Sequence, residues 1–325
     1  MLRYTLKRIL LIIPIVFVII FLLFLMLYAT PASAIRSISI HRGGDALDSF
    51  FEATNASDNI FTKYIRYCYN ILVHFDFGRS RMVNQLAHRI RNTIKLLVTG
   101  VGATLIIGIP IGIFTATHKN RLSDRIVNIV TLVFSAIPNY ALAILLTLIL
   151  CLRLGLLPLI PSYTEPIAFV LPTLVISLGG IASVSRMTKA SMLEVLGQQY
   201  ITALRSKGLG SVRILYSHAL KNALVPIIAV AGGLVSQLLC GTLVVEFFFN
   251  VPGLGSLMLD SVANRSHFET LGCTAILTLI LAVSSVIVDV SYALINPQIK
   301  LRYVKSYGLL KQFRKLGARE PAGEI

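Results

Sequence analysis

Six histidines, four cysteines and 14 acidic residues are all that this 325-residue chain offers to acid–base, metal or nucleophilic chemistry. Their spacing suits none of it. His41, His74, His88, His118, His218 and His267 are scattered, mainly at loops and helix ends, and Cys68, Cys151, Cys240 and Cys273 form no CxxC pair. Neither a metal site nor a disulfide framework is indicated. No G-x-x-x-x-G-K-[ST] loop is present to cradle nucleotide phosphates, and no H-E-x-x-H or G-x-S-x-G element to hydrolyse a bond. What stands out instead is a handful of polar residues stranded inside or at the ends of apolar runs: Asn139, Tyr140, Gln237 and Glu246. Such residues suit a polar path through an apolar surrounding. For Asn139, Tyr140 and Gln237 a hydrogen bond to a neighbouring helix fits equally well.

The surrounding is lipid. Hydrophobic residues make up 55% of the chain, charged ones only 14%, and mean hydropathy is +0.78, whereas soluble domains carry about a quarter of their residues as charges. A spanning helix needs roughly 20 apolar residues, and six stretches qualify, near 9–28, 94–117, 126–152, 166–186, 223–245 and 271–295. Period-two alternation is absent, which argues against a membrane barrel. The expected fold is an all-α membrane protein of six transmembrane helices. The run before Ala32-Ser33-Ala34 is longer than a signal peptide's apolar core and is read as a retained first helix.

The net charge of +16 follows the membrane topology rather than pointing to nucleic acid. Arg3, Lys7 and Arg8, then Lys119, Arg121 and Arg125, then Lys189, Arg205, Lys207, Arg213 and Lys221, and seven more between Lys300 and Arg319, all fall on one side if the N-terminus is inside. The short loops of the other side carry only Arg153 and Arg265. Basic loops stay inside, so both termini are expected in the cytoplasm of a multi-pass inner-membrane protein.

Four regions follow: a first helix (1–28), an external segment (29–93), a five-helix core (94–300) and a basic tail (301–325). Within the external segment, Phe61–Val73 fits an amphipathic helix lying on the membrane or on a partner, and fits equally a structured loop that caps the bundle. The second span carries Gly100, Gly102, Gly108 and Gly112, small residues that let helices approach in lipid, and so belongs at the centre of the bundle. Pro138 interrupts the third span. Pro252, Gly253 and Gly255 make a turn after the fifth, followed by a short apolar helix.

Between the fourth and fifth spans the chain turns basic and amphipathic. Met192, Val195, Leu196, Tyr200, Leu204 and Leu209 approximate one helical face, and after Gly208 and Gly210 a second pattern begins at Val212, Leu215, Tyr216, Leu220 and Leu224. Two short helices around a glycine corner would form a cytoplasmic elbow at 187–222. Its apolar face needs a receiver, either headgroups or a partner's groove.

This stretch, "RMTKASMLEVLGQQYITALRSKGLGSVRILYSHALKNALVP", resembles the signature loop of ABC-importer permeases in the oligopeptide/dipeptide/nickel branch. Tyr200, Arg205, Lys207, Gly208, Leu209, His218, Ala219, Leu220, Lys221, Asn222 and Ala223 stand at the branch's places, and Thr202, Ala203, Leu204 and Gly208 occupy those of the wider Glu-Ala-Ala-x-x-x-Gly pattern. "DFGRS" at 76–80, "IPNY", "LGLLP", "NVPGLGSL", and Asp289 with Tyr292 match in order. Thr30-Pro31-Ala32-Ser33 and Asn296-Pro297-Gln298 depart from the family's Pro-Gly-Asp-Pro and Asp-Pro-Arg.

The resemblance implies a type I importer permease with cytoplasmic coupling helices. Tyr200, Ala203, Arg205, Lys207, Gly208, Leu209, Gly210 and His218 would dock a separate ATPase, while Asn139, Tyr140, Gln237 and Glu246 would line the path. It implies a second permease, two ATP-binding subunits that hold ATP and Mg, and an external substrate-binding protein. This chain itself would bind no cofactor or metal and catalyse nothing. Peptide is the expected cargo, with nickel or another small solute as the alternative. A stand-alone channel or secondary carrier would need ionisable residues within the membrane, and only Glu246 and Asp289 come near.

Overall fold

The pleat-free, apolar sequence folds as helices throughout the residues that a computed structural model describes, 2–28, 60–70, 80–159, 162–264 and 267–295. Ten helices are used below: α1 (Leu2–Tyr28), α2 (Ile60–Tyr69), α3 (Ser80–Thr117), α4 (Leu122–Ala136), α5 (Asn139–Leu146), α6 (Val170–Leu196), α7 (Gln199–Ser206), α8 (Ser211–Phe248), α9 (Leu254–Ala263) and α10 (His267–Ile295). Residues 29–59, the "DFG" at 76–78, the family departures at 30–33 and 296–298, and the basic tail lie outside the described residues, as do the side chains of Asp289 and Tyr292.

The α3–α6 pair is the mast of the bundle. Gly100 faces Ile176, Thr104 faces Gly180, Gly108 faces Val184 and Gly112 faces Thr188, so the two helices run parallel with a constant offset and meet every four residues. A Cβ on Gly112 would stand 2.6 Å from the Ser185 carbonyl, and one on Gly108 3.2 Å from that of Ile181. Within lipid there is no water to expel between helices, and close backbone contact supplies the attraction instead. The central place expected for the glycine-rich span follows from this register. Thr99 and Thr173 add a hydroxyl pair at 3.0 Å, and Lys95 stands 3.9 Å over the Phe169 ring.

Two apolar clusters fill the bundle's ends. Leu96, Leu97, Leu142, Phe169, Val175, Leu239 and Val245 join α3, α5, α6 and α8 at one end, here the turn end. Ile113, Val184, Met192, Ile201, Ile214, Ala223 and Ile227 join α3, α6, α7 and α8 at the other, the elbow end. A third cluster binds α1 to α10 through Ile20, Phe24, Leu271 and Ala275, with Tyr64 and Tyr67 of α2 set into it. The amphipathic helix expected in the external segment is therefore present over Ile60–Tyr69.

Two expectations change. The third span is not one interrupted rod: α4 and α5 meet at 109°. Ile137 is extended (φ −81°, ψ 128°) because a residue before proline is pushed out of the helical region, and Pro138 then caps α5. The second helix also starts at Ser80 rather than near 94, and its Arg89, Asn92 and Thr93 bond to the Pro252–Ser256 turn. Among the described residues four helices are long and apolar enough to cross a membrane, or five if the bent pair counts as one span, and Leu10–Met26 of α1 is a shorter apolar stretch.

The glycine register is testable. Gly112→Leu drives a side chain into Thr188 and the Ser185 carbonyl, whereas Gly102 has open space. The first is expected to cost more than about 3 kcal/mol as overpacking without room to relax, and to remove the monodisperse peak in detergent size exclusion. Gly102→Ala should leave the peak and its melting midpoint unchanged.

Candidate functional site

The elbow is built from its apolar residues outward. Ile201 is fully buried among Met192, Ile214 and their neighbours, with Leu204 and Leu209 packed beside it. That seats one face of α7 on the ends of α6 and α8. The opposite face carries Thr202, Ala203, Arg205 and Ser206, all exposed, and Lys207 and Gly208 continue it. Tyr200 is half out, its hydroxyl accepting the Asn222 side-chain amide of α8 at 2.8 Å. Asn222 also donates to the His218 carbonyl at 3.2 Å, and His218 itself is half-buried.

A glycine ends α7. Gly208 has φ +78°, its N–H donates to the Arg205 carbonyl at 2.9 Å, and the Leu209 N–H reaches back to Leu204 at 3.2 Å. This pairing satisfies the helix's last carbonyls and sets Leu209 against Leu204, the accompanying apolar contact. Gly210 has no such need: its φ is −65° and no atom lies within 4 Å of where a Cβ would sit. The corner is thus Gly208 alone. Nor is there a second short helix. The pattern from Val212 onward is the first part of α8, which passes through π turns at Ile214–Ala219 and runs unbroken to Phe248.

Beside the elbow, Asp124 in the first turn of α4 accepts Lys189 of α6 at 2.5 Å, the Asn120 N–H at 3.1 Å and the Asn128 amide at 2.8 Å. The carboxylate is nearly buried. It ties the start of the bent pair to the last turns of α6, next to where α7 begins.

At the turn end the organising group is Glu246, which has no exposed surface. Its carboxylate accepts the Thr93 hydroxyl at 2.7 Å and the N–H groups of Gly255 and Ser256 at 2.6 and 3.3 Å. Those amides are unpaired donors of the first turn of α9, where a negative charge is favoured. Thr93 in turn accepts the Leu254 N–H at 2.9 Å. Arg89 donates to the Gly253 carbonyl at 3.2 Å and Asn92 to that of Pro252 at 3.0 Å. Residues 89, 92 and 93 share one face of α3, so this face grips the whole Pro252–Ser256 turn. A Cβ at Gly253 or Gly255 would enter the carboxylate's space. Tyr163, in the loop before α6, donates its hydroxyl to the Phe249 carbonyl. Burial pushes that phenol up, so the donor keeps its proton at physiological pH.

The four path candidates separate. Asn139, half-buried at the head of α5, lies with its amide against Gly241 of α8. Gln237, one turn before Gly241, is exposed, as is Tyr140. Asn139 and Gln237 therefore share one region of α8, with Tyr140 next to it, while Glu246 sits apart as the buried anchor of the turn. Gln237 belongs to a strip of exposed α8 residues, Gly233, Gln237, Cys240, Val244 and Phe247. Spacings of four and three keep them on one side of the helix.

Comparison with known proteins decides the family. Residues 108–301 match the binding-protein-dependent transport system inner membrane component family. The chain belongs to that family. Across 93% of its length this inner membrane component is 34% identical to the dipeptide transport system permease protein DppB of Bacillus subtilis, covering 99% of that protein. It is 30% identical to the oligopeptide transport system permease protein AppB of the same organism, over 92% of this chain and all of that protein. It is also 30% identical to the glutathione transport system permease protein GsiC of Escherichia coli, over 93% of this chain and all of that one. In fold, 67% of the chain superposes on 99% of a chain from the inward-facing MetNI methionine ABC transporter, with a TM-score of 0.55 at 16% identity. The inner membrane component is thus a multi-pass, helical transport permease.

Thr93, Arg89 and Asn92, and the Asp124–Lys189 pair, were not among the candidate residues. No local pattern announces them, since Thr93 and Glu246 are 153 positions apart. Glu246→Ala is expected to leave the Thr93 hydroxyl and two N–H groups of α9 without their acceptor, costing roughly 2–4 kcal/mol. A thermal unfolding scan of the purified chain should show the midpoint fall. Glu246→Gln, which keeps one acceptor oxygen, should recover part of it.

Proposed function

We propose that this inner membrane component is the permease subunit of an ATP-driven importer of peptides, forming one half of the translocation path. The exposed face of α7 carries this reading, because a short basic helix bolted by Ile201 and Leu204 to two long helices is built to receive force. Relatives named for dipeptide, oligopeptide and glutathione transport supply the cargo class. In this reading α7 and the start of α8 are the coupling element, and Arg205, Lys207, Ala203 and Leu209 meet an ATPase subunit that holds ATP and Mg. Six spans result from α1, α3, the bent α4–α5 pair, α6, α8 and α10. The elbow end and both termini face the cytoplasm, and the Pro252–Ser256 turn faces outward towards a substrate-binding protein. The α8 strip with Gln237, together with Asn139 and Tyr140, faces the path and a second permease.

The physical route from ATP to cargo is α8. Its 38 residues extend about 57 Å at 1.5 Å per residue, from the elbow to the Glu246 anchor. A push on α7 enters α8 at Ile214 and the Asn222–Tyr200 bond. Pro226 and the π turns at Ile214–Ala219 are the places where the helix can bend.

Two experiments test this. Tagged chain extracted in mild detergent should bring down a second permease and P-loop ATPases in stoichiometric amounts; recovery of the chain alone would move the weight to a free-standing carrier. Gly208→Val places a β-branched residue in the left-handed region, which costs about 1–2 kcal/mol and opens the corner. Uptake of labelled di- and oligopeptides should drop to background while membrane abundance holds. Gly210→Ser should transport like the parent, and equal loss in both variants would sink the assignment of the corner to Gly208.

A further inference from the structure

The helix α2 has three sides, and the importer reading uses none of them. Tyr64, Tyr67 and Cys68 face the α1–α10 cluster, where Tyr64 and Tyr67 are buried. At about 100° per residue, Phe61, Ile65 and Tyr69 fall on a second flank, exposed at 62%, 53% and 55%. Thr62, Arg66 and Asn70 fall on a third, also exposed. One flank is therefore apolar throughout, and its neighbour about 100° round is polar throughout.

The position of α2 along α1 says what meets the apolar flank. The Tyr64 hydroxyl donates to the Phe17 carbonyl at 2.7 Å, and the rings of Phe21 and Phe24 pack edge-on against Tyr64 at 5.0 and 5.8 Å. Phe17 to Phe24 lie roughly 3–14 Å inside the Met26 end of α1's apolar stretch, at 1.5 Å per residue. Here α1 itself turns Ile15, Val18, Leu22 and Leu25 outward. The apolar flank of α2 continues that outward surface at the depth where interfacial helices sit, roughly 5–10 Å below the headgroups. We propose that α2 is seated in the bilayer interface, with phospholipid acyl chains against Phe61 and Ile65 and headgroups and water against Thr62 and Asn70, and that it clamps α1 to α10 from the lipid side. A covering from residues 29–59, which carry five Ser, three Asp and two Arg beside six Ala, is the competing outcome that the test separates. The proposal rests on membrane residence, not on cargo or ATPase partners.

The chain contains no tryptophan, so a single introduced one reports its own surroundings. Ile65→Trp and Thr62→Trp, with Phe61→Trp as a conservative aromatic alternative on the apolar flank, would be made in the full chain. Each would be reconstituted into phosphatidylethanolamine–phosphatidylglycerol vesicles with or without dibrominated lipid. At positions 65 and 61 the emission should be blue-shifted, quenched several-fold more by brominated lipid than by iodide. Position 62 should show the reverse order. Equal iodide quenching on both flanks would overturn the proposal by placing α2 in water, free for a soluble partner. Protection of position 65 from both quenchers would overturn it in favour of a protein covering. Either result would leave the uptake and co-purification experiments untouched.

Discussion

A single buried carboxylate holds the turn end together. Glu246 is the last polar group of a long apolar helix, and it lies wholly inside the protein. An isolated charge there would be prohibitively costly. Two amides and a hydroxyl, all pointing at it, offset part of that cost. The consequence is geometric, because those donors come from different elements. Gly255 and Ser256 belong to α9, Thr93 to α3, and Glu246 itself to α8. Satisfying one buried carboxylate therefore fixes the exit of α8, the start of α9 and α3 at Thr93 relative to one another. The glycines at 253 and 255 are needed because the carboxylate fills the space of their side chains.

The same logic of satisfaction explains the rest of the bundle. In lipid, backbone groups left unpaired by a break must find partners within the protein. Three breaks in the described helices have such partners nearby. The Pro252–Ser256 turn has Arg89, Asn92 and Thr93; the Asn120 bend has Asp124; the end of α7 has the Gly208 pairing. Where nothing breaks, as along α3 and α6, the helices can come together backbone to backbone. The bundle is thus rigid along α3–α6 and pinned at two ends.

Legibility in the sequence followed the range of the interactions. Helices, the amphipathic α2 and the elbow's apolar face were readable because each depends on spacings of three and four residues. The glycine stripe of α3 was readable as a packing surface, although its partner was not: the offset from Gly100 to Ile176 involves two distant segments. Glu246 was visible as an anomaly, a charge at the end of an apolar run. Its role could not be read, since Thr93 sits on another helix and the α9 amides carry no side-chain signature. Gly208 and Gly210 looked alike in sequence and differ in φ, a property of the fold. Pro138 announced a break, but the angle of 109° depends on where α5 packs, its own Leu142 and Ala143 entering the turn-end cluster with Leu96, Phe169, Val175 and Leu239.

The division between rigid and movable parts then follows from where α8 is held. At one end Val245 and Glu246 are buried and anchored. At the other, Ile214, Ala219 and Ala223 pack into the elbow cluster. Between them lies the exposed strip from Gly233 to Val244, and beside it the half-buried Asn139 against Gly241. Only that side of α8 is open: Ile227, Leu234, Leu238, Leu239 and Thr242 are buried along the same stretch, so its other side is held by the bundle. Pro226 stands just elbow-side of the exposed strip, and the π turns at Ile214–Ala219 stand nearer still to α7; on the importer reading proposed above, a displacement of α7 would be taken up at these two places. Gln237 on that strip would then be re-aimed without breaking the turn that Glu246 holds. On that reading, motion at the elbow and integrity at the turn would be compatible because the bending points lie between the two.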